Sequence, residues 1–283
     1  MLRLSSILIG QGIEKMRITG GEPFVRKGMM GFLASLSELS GLRQISITTN
    51  GVLTAPLVPE LKKLGIHSVN LSLDTLDRNR FFAITHRDEF VNVTNTLGQL
   101  IKHGISVKIN AVVMDGKNTQ DILPLAELTK DMPVDVRFIE EMPFNGRTDD
   151  YKGLSWDHLR ILETLQQKYP HIQKVPDPAN STAYNYHVPG HKGNLGIIAA
   201  YTRSFCGTCN RIRITPQGML KTCLYGNGAL DVRALLRNGA SDAALVQAFT
   251  DAIQKKPKDG WEAEANRNSG PSSIHESMAM IGG

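Results

Sequence analysis

All three cysteines of the 283-residue chain lie in one short stretch, as Cys206, Cys209 and Cys223 in a C-x2-C-x13-C pattern. Residues 211–215 alternate polar and apolar side chains, which is typical of a β-strand, and Pro216-Gln217-Gly218 is typical of a turn. A hairpin over these residues would return Cys223 to the Cys206–Cys209 loop. Thiolates grouped in this way bind soft metals or iron–sulfur clusters.

The number of cysteines leaves several metal sites open. Structural zinc and closed 4Fe–4S clusters take four ligands, so three cysteines leave one metal position for something else. The main alternative to a cluster is a zinc ion whose fourth ligand is His187 or His191. A disulfide is less consistent with an odd number of cysteines. The simplest alternative is that the three cysteines are inert buried residues. Arg211 and Arg213 leave the same loop, and guanidinium groups suit phosphate oxygens. We therefore predict a metal site with a cationic rim that holds an anionic ligand.

Composition places this site in an ordinary globular protein. A hydrophobic share of 41% is enough to bury a core, and the chain is long enough for one large domain or a domain with an added layer. The net charge of +5 requires no nucleic acid, because a small anionic substrate explains it equally well. No apolar run is long enough to cross a membrane, and residues 1–10 are expected to form a helix rather than a signal peptide. The cytoplasm is the expected compartment.

The elements that must position the site follow from hydrophobic periodicity. Strand-like and helical runs alternate from residue 2 to about 205, and five strands each entered from a helix predict a parallel sheet, in barrel or doubly wound form. These strands are 15–19, 44–49, 67–73, 106–113 and 135–142. Beyond them we predict helices at 156–168, 231–236 and 242–253 and a strand-like run at 193–202. The polar segment 255–278 is expected to be irregular and extended.

Polar residues stand where the predicted strands end. In parallel sheets, ligands bind beyond the carboxyl ends of the strands, so these residues are expected to meet at one ligand site. They are Gly20–Pro23, Thr48–Asn50, Ser72–Asp74, Asn110 and Glu140–Met142. Arg17 and Lys108 lie inside strands, where charge is unusual. An inward position facing an anion and an outward solvated position both remain open for them.

Several motifs together resemble the GTP 3′,8-cyclase family of radical S-adenosylmethionine enzymes, which begin molybdenum cofactor biosynthesis. They are Arg17–Pro23, Thr48–Gly51, Asn70–Asp74, Arg137–Glu140, Phe205–Arg213 and the Gly282-Gly283 end. The resemblance implies an α/β fold, an incomplete (βα)6 TIM-like barrel whose first strand is absent here, with a C-terminal iron–sulfur cluster region. It implies a partial radical-SAM barrel over residues 1–145 and, over 146–283, the region with the GTP-binding cluster and the diglycine tail.

The resemblance also assigns roles to individual residues. It implies that Cys206, Cys209 and Cys223 hold a 4Fe–4S cluster whose open iron is occupied by GTP. The residues that match GTP-binding positions are Arg17, Thr48, Lys108, Arg211 and Arg213. Those that match S-adenosylmethionine-binding positions are Gly21, Glu22, Ser72 and Met142. The catalytic positions implied are Arg17 and the terminal Gly282 and Gly283, which reach into the active site in this family.

One departure from the family concerns its other cluster. The family binds a second 4Fe–4S cluster through a C-x3-C-x2-C loop near its N-terminus, but no cysteine precedes Cys206 in this sequence. We therefore expect this chain to be an N-terminally truncated form that is inactive alone. The partners implied are GTP, S-adenosylmethionine, an electron donor and the next enzyme of the molybdopterin pathway, with no nucleic acid or membrane and with a homodimer as an option. A non-catalytic GTP-binding iron–sulfur module and a zinc-binding structural protein are the alternatives.

Overall fold

The computed structural model describes residues 1–142 and 153–268. Its main sheet has eight strands in the order β1-β2-β3-β4-β5-β8-β7-β6. These strands are β1 (Lys15–Ile18), β2 (Gln44–Thr49), β3 (Ser68–Ser72), β4 (Ser106–Val113), β5 (Val134–Glu140), β6 (Gln173–Lys174), β7 (Ala183–His187) and β8 (Leu195–Ile198). Strands β1 to β5 and β8 run parallel, whereas β6 and β7 are antiparallel additions. The predicted α/β fold with a mostly parallel sheet is confirmed.

Helices connect the parallel strands and continue after them. They are α1 (Leu2–Gly10), α2 (Met29–Ser37), α3 (Val58–Lys63), α4 (Arg78–Thr85), α5 (Phe90–Lys102), α6 (Ile122–Asp131), α7 (His158–Lys168), α8 (Val232–Arg237), α9 (Asp242–Gln254) and α10 (Gly260–Asn268). Several start at a side-chain cap, as where Asp157 accepts from the Arg160 amide and Ser241 from the Ala244 amide. In the described part of the chain, no helix has the length and apolar character needed to span a membrane.

The two faces of the parallel sheet differ in polarity. Successive strand side chains point to opposite faces, and β2, β4 and β5 show this alternation in their burial. One face carries Ile47, Ile109 and Phe138, which are completely buried under the helices. The register pairs Thr48 with Asn70 and Asn70 with Lys108, so the opposite face carries a row of polar side chains. This polar face is where the sheet presents its functional groups.

A second sheet carries the cysteine stretch. Three short antiparallel strands, β9 (Arg213–Ile214), β10 (Met219–Lys221) and β11 (Leu230–Asp231), lie in the order β11-β10-β9. The predicted hairpin is confirmed, with Gly218 at φ +87 in its turn, a left-handed conformation that favours glycine. Leu4 and Leu8 of α1 pack with Leu220 of β10 and with α9, which joins this small sheet to the start of the chain.

Two parts of the chain add to the sequence prediction or contradict it. The predicted strand-like run at 193–202 is confirmed as β8, and its place in the main sheet, as a sixth parallel strand beside β5, is new. The prediction of an irregular segment from 255 onward is wrong for Gly260–Asn268, which form α10. Asp259 accepts hydrogen bonds from the amides of Trp261 and Glu262, so a side-chain cap starts a helix that is poor in apolar residues. The proposed boundary at 145/146 lies outside the described residues.

Candidate functional site

Four arginines converge over the polar face. Burial, followed by the charges of Arg137, Arg211 and Arg213, lowers the pKa of Arg17 to about 10. Burial and neighbouring guanidinium groups also lower the pKa values of Arg137 and Arg213. By its surface area the Arg17 residue is nonetheless exposed, so solvent hydrates its charge and weakens the repulsion from its neighbours. Within the described residues, these four cations interact with fewer carboxylates than they carry positive charges, a balance that favours a multiply charged anion.

Two structural units contribute these arginines. Arg17 lies on β1 and Arg137 on β5 of the main sheet, whereas Arg211 and Arg213 come from the cysteine stretch. The structure therefore brings Arg17, Arg211 and Arg213, three of the predicted GTP-binding residues, within electrostatic range of one another. Arg137 is a member that the sequence prediction missed as a site residue. A charge that follows Asp135 by two inside a strand was the available signal, because it places Arg137 on the polar face.

Thr48 and Lys108, the other predicted GTP-binding residues, lie on the same face with partners of their own. The Asn70 side-chain amide donates to Thr48 Oγ1 at 3.2 Å, and Arg137 donates to Asn70 Oδ1 at 3.5 Å. Lys108 Nζ donates to Asp135 Oδ2 at 2.8 Å in a partly buried ion pair. A series of hydrogen bonds through Asn70 thus connects Thr48 to the arginine cluster, while Asp135 partly neutralises the charge of Lys108.

A polar atom without a partner lies on the same face. Asn110 Oδ1 is buried and has no hydrogen-bond partner among the described residues. Asn110 follows Lys108 by two on β4, and Arg137 is its register partner on β5. Buried acceptors are nearly always satisfied, so an unpaired oxygen beside a cationic cluster is consistent with a ligand that donates to it.

The three cysteines are free and half-buried at the edge of the arginine cluster. Burial raises the pKa of Cys206, and the nearby thiols of Cys223 and Cys209 raise it further. Burial would also raise the pKa of Cys209, but the Arg211 amide, the Lys256 ammonium and the Arg211 guanidinium together lower it. Arg211 also donates to Cys209 Sγ at 3.7 Å. The surroundings of Cys209 therefore favour the thiolate, which is the form that binds metal.

The donor set fits a soft metal or cluster, although its ligands are not closed around one point. Within the ranges described, no group of three His, Cys, Asp or Glu side chains is arranged to hold a metal ion. His187 Nδ1 is 3.1 Å from Asn194 Oδ1, and His191 Nδ1 is 2.8 Å from Thr129 Oγ1, so both histidines have other partners. Three thiols that perturb one another electrostatically remain the natural ligands.

Glu22 joins the loop after β1 to the end of β2. Its carboxylate accepts hydrogen bonds from Thr49 Oγ1 at 2.9 Å and from the Asn50 amide at 2.8 Å. Gly20, at φ +140, adopts a backbone conformation that side chains disfavour, and Gly21 follows it at the mouth of the sheet. The structure thus holds the Gly21–Glu22 pair at the carboxyl end of β1, with carboxylate lone pairs remaining for a further donor.

A cavity lies beyond the carboxyl end of β3. Ser72 and Asp74 line it together with Asn50 and Arg87. Asp74 Oδ1 accepts a hydrogen bond from the Val112 amide at 2.8 Å, yet burial raises the pKa of Asp74 to about 6. Asn50, whose amide donates to Glu22, lines the same cavity as Ser72. Two of the predicted S-adenosylmethionine-binding residues, Glu22 and Ser72, are therefore close to this cavity.

The last predicted site residues have different outcomes. Met142 Sδ lies 3.3 Å from Tyr225 Oη, a contact that links the end of the main sheet to the segment after Cys223. Gly282 and Gly283 lie outside the described residues, so their catalytic role remains a prediction. The described groups can bind a polyanion over the polar face and present thiolates at its edge.

Comparison with family models identifies the class of protein. Residues 2–129 match the model of the Radical SAM superfamily, and residues 134–261 match that of Molybdenum Cofactor Synthesis C. The fold resembles Streptococcus suis SuiB bound to precursor peptide SuiA, with a TM-score of 0.63, 16% identity and coverage of 96% of this chain and 60% of that one. Sheet and family models together define a radical SAM protein.

Curated relatives narrow this class. The chain is 35% identical to the GTP 3′,8-cyclase of Chlorobaculum tepidum over 286 residues, covering 99% of this chain and 83% of that protein. It is 41% identical to Molybdenum cofactor biosynthesis protein 1 of Bos taurus over 259 residues, covering 91% of this chain and 41% of that protein. The chain thus spans about two fifths of the length of such longer relatives. It belongs to the GTP 3′,8-cyclase family.

Proposed function

We propose that this chain provides the GTP-binding part of a GTP 3′,8-cyclase, which converts GTP to 3′,8-cyclo-7,8-dihydro-GTP in molybdenum cofactor biosynthesis. The single observation that carries the proposal is the convergence of Arg17, Arg137, Arg211 and Arg213 beside three thiols. A triphosphate supplies the negative charge that such a cluster lacks. Relatives named for this activity support the same assignment.

The proposed pose of GTP follows from the chemistry of the cluster. The guanidinium groups donate to the triphosphate oxygens, and Lys108 adds a single ammonium beside them. Thr48 and Asn110 offer polar contacts on the sheet, and the unpaired Asn110 Oδ1 accepts from a donor on the nucleotide. The guanine base then lies toward Cys206, Cys209 and Cys223, at the metal position that three thiolates leave open.

The proposed cofactors are a 4Fe–4S cluster on the three cysteines and S-adenosylmethionine at the mouth of the sheet. Gly21 and Glu22 receive its amino group, and Ser72 and Met142 border the rest of it. When bound together with the second cluster expected in the complete enzyme, S-adenosylmethionine would supply the radical chemistry for joining ribose C3′ to guanine C8. An electron donor and the enzyme that consumes the product are the inferred partners, and Gly282 and Gly283 complete the inferred catalytic set.

The test is an anaerobic reconstitution with iron and sulfide, followed by titration with GTP, ATP and CTP. We expect GTP to bind most tightly and to change the electron paramagnetic resonance (EPR) spectrum of the reduced cluster, because the base meets the metal. ATP and CTP share the triphosphate and serve as matched controls for the arginine contribution. One bound zinc without iron would favour the structural zinc protein instead, and equal spectra with and without GTP would refute contact with the metal.

A further inference from the structure

Arg203 is a buried arginine outside the cationic cluster described above. Its residue is only 5% exposed, and its φ of +58 is a left-handed conformation that a non-glycine residue seldom adopts. The guanidinium carbon lies 3.7 Å from the Tyr225 ring centre and 4.0 Å from that of Trp261. Nη2 donates to Glu264 at 2.7 Å, and Nη1 donates to the Gly260 carbonyl at 2.9 Å. Two rings, a carboxylate and a carbonyl therefore compensate most of the cost of burying this charge, whereas Nε is buried without a hydrogen-bond partner among the described residues.

The backbone of Arg203 is tied to the first cysteine. Its carbonyl accepts a hydrogen bond from the Cys206 amide at 3.1 Å, so the strained residue begins the turn that carries Cys206 and Cys209. Tyr225, on one side of the guanidinium, follows Cys223 by two residues, and its hydroxyl donates to the Ala200 carbonyl. The stack formed by Tyr225, Arg203 and Trp261 thus contacts both segments that bring the cysteines together.

The other side of the stack belongs to α10. Trp261 and Glu264 lie on this helix, and Gly260 begins it. A Cβ on Gly260 would come within 2.8 Å of the Tyr225 ring and 2.9 Å of Arg203 Cδ, so glycine permits this close approach. The Gly260 amide in turn interacts with the Cys206 sulfur. The helix start is therefore held against a cysteine by the same arginine.

We propose that Arg203 is a positioning residue for the metal site, acting through Tyr225 and Trp261. It holds the Cys206 turn, the segment after Cys223 and the start of α10 in one arrangement, so that the three thiols and the Gly260 amide stay grouped where a cluster would bind. This inference rests on the proposed function, because it presumes a cluster on these cysteines. Amide contacts to ligand sulfurs tune iron–sulfur clusters, so the arrangement affects the cluster's spectrum as well as its retention.

The test compares reconstituted Arg203→Met, Arg203→Lys and parent proteins. Methionine removes the positive charge and the two guanidinium donors, whereas lysine keeps a cation between the rings. We expect iron transfer to a chelator to be about ten- to a hundredfold faster in Arg203→Met, with changed EPR g values, and intermediate in Arg203→Lys. Arg160→Met is the matched control, because Arg160 lies over the Trp156 ring at 4.2 Å on α7 and should behave like the parent.

The outcomes separate the two proposals. A parent protein that binds no iron would overturn the proposed function, whereas parent and Arg203→Met proteins with equal iron loss and equal spectra would overturn this inference alone. If Arg203→Met does not fold, Trp261→Leu decides by the same measurements. Trp261 is 53% exposed, so its replacement removes one face of the stack while leaving the Glu264 ion pair in place. An unchanged spectrum and iron loss in Trp261→Leu would then count against the inference.

Discussion

Replacing Arg137 with methionine is expected to weaken GTP binding and, at the same time, to stabilise the ligand-free chain. Arg137 is the first charged neighbour that lowers the pKa of Arg17, after burial itself. Its own pKa is lowered by burial and by Arg211, against the opposing effect of Asp135. The free protein thus holds mutually repelling charges that Asp135 compensates only in part, and a bound anion would compensate them further. Removing one of them relieves the repulsion and also removes a ligand contact.

The expected magnitudes follow from burial and charge. A hydrogen bond to a charged oxygen contributes about 1.5–3 kcal/mol, so GTP affinity should fall about 10- to 150-fold. Repulsion between partly hydrated cations is smaller, about 0.5–1 kcal/mol. For a chain of this size it should raise the melting temperature by about 1–4 °C. Methionine retains much of the apolar stem, including the part of Arg137 that packs beside Gly196.

The assay combines calorimetric titration of GTP with thermal denaturation, each at about 50 and 200 mM salt. Higher salt should reduce the stability difference between the Arg137→Met variant and the parent, because the repulsion is screened. Arg160→Met, an arginine change on an exposed helix position, is the control and should alter neither quantity. Unchanged GTP affinity would refute the assignment of the triphosphate to this cluster. A lower melting temperature in the ligand-free variant would refute the argument from repulsion.

Three further outcomes are expected. The 283-residue chain should bind at most about four irons after reconstitution, because its only thiols are the three cysteines, and Cys209→Ala should lose most of them; about eight irons by chemical analysis would contradict this. The same chain with S-adenosylmethionine and a strong reductant should form no 5′-deoxyadenosine above a protein-free control, as chromatography of the products would show. Burial raises the pKa of Asp74 to about 6, above about 3.9 in an unfolded chain, so the fold binds more protons and loses stability as pH rises from about 4 to 6. The asparagine side chain of the Asp74→Asn variant can still accept from the Val112 amide, so this variant should be more stable than the parent by up to about 3 kcal/mol at pH 8 but not at pH 4. Denaturant unfolding that gives the same stability difference at both pH values would count against this.

The sequence allowed the parallel sheet to be predicted because period-two burial and turn residues are local signals. The resemblance also assigned Arg17, Arg211 and Arg213 to one site, and the structure brings them near one another, whereas their role in GTP binding stays a prediction. Arg137 escaped assignment because its role depends on which face of β5 meets the cysteine stretch, which is a property of tertiary packing. The strand β8 was missed as a sheet member for the same reason, since its partner β5 lies more than fifty residues earlier.

Helix α10 was missed for a different reason. Its composition lacks an apolar stripe, so periodicity predicts no helix, and its stability depends on the Asp259 cap and on tertiary contacts with Arg203. The pattern Asp259-x-x-Glu262 was a usable signal, because the Glu262 carboxylate accepts from the Lys258 amide just before the helix. A capping pattern can therefore indicate a helix where hydrophobic periodicity does not.

Two members of the arginine cluster come from the main sheet and two from the cysteine stretch, so the packing of these two units brings like charges together. Apolar and ionic contacts elsewhere must oppose the repulsion. Leu4 and Leu8 of α1 pack against Leu220 and α9, and Arg3 donates to Asp242 at 2.7 Å at the start of α9. A triphosphate bound to all four arginines would offset the repulsion and favour this packing, so ligand binding and the packing of the two units should reinforce each other. It follows that weakening the α1 contacts should reduce GTP affinity without touching any residue that meets GTP.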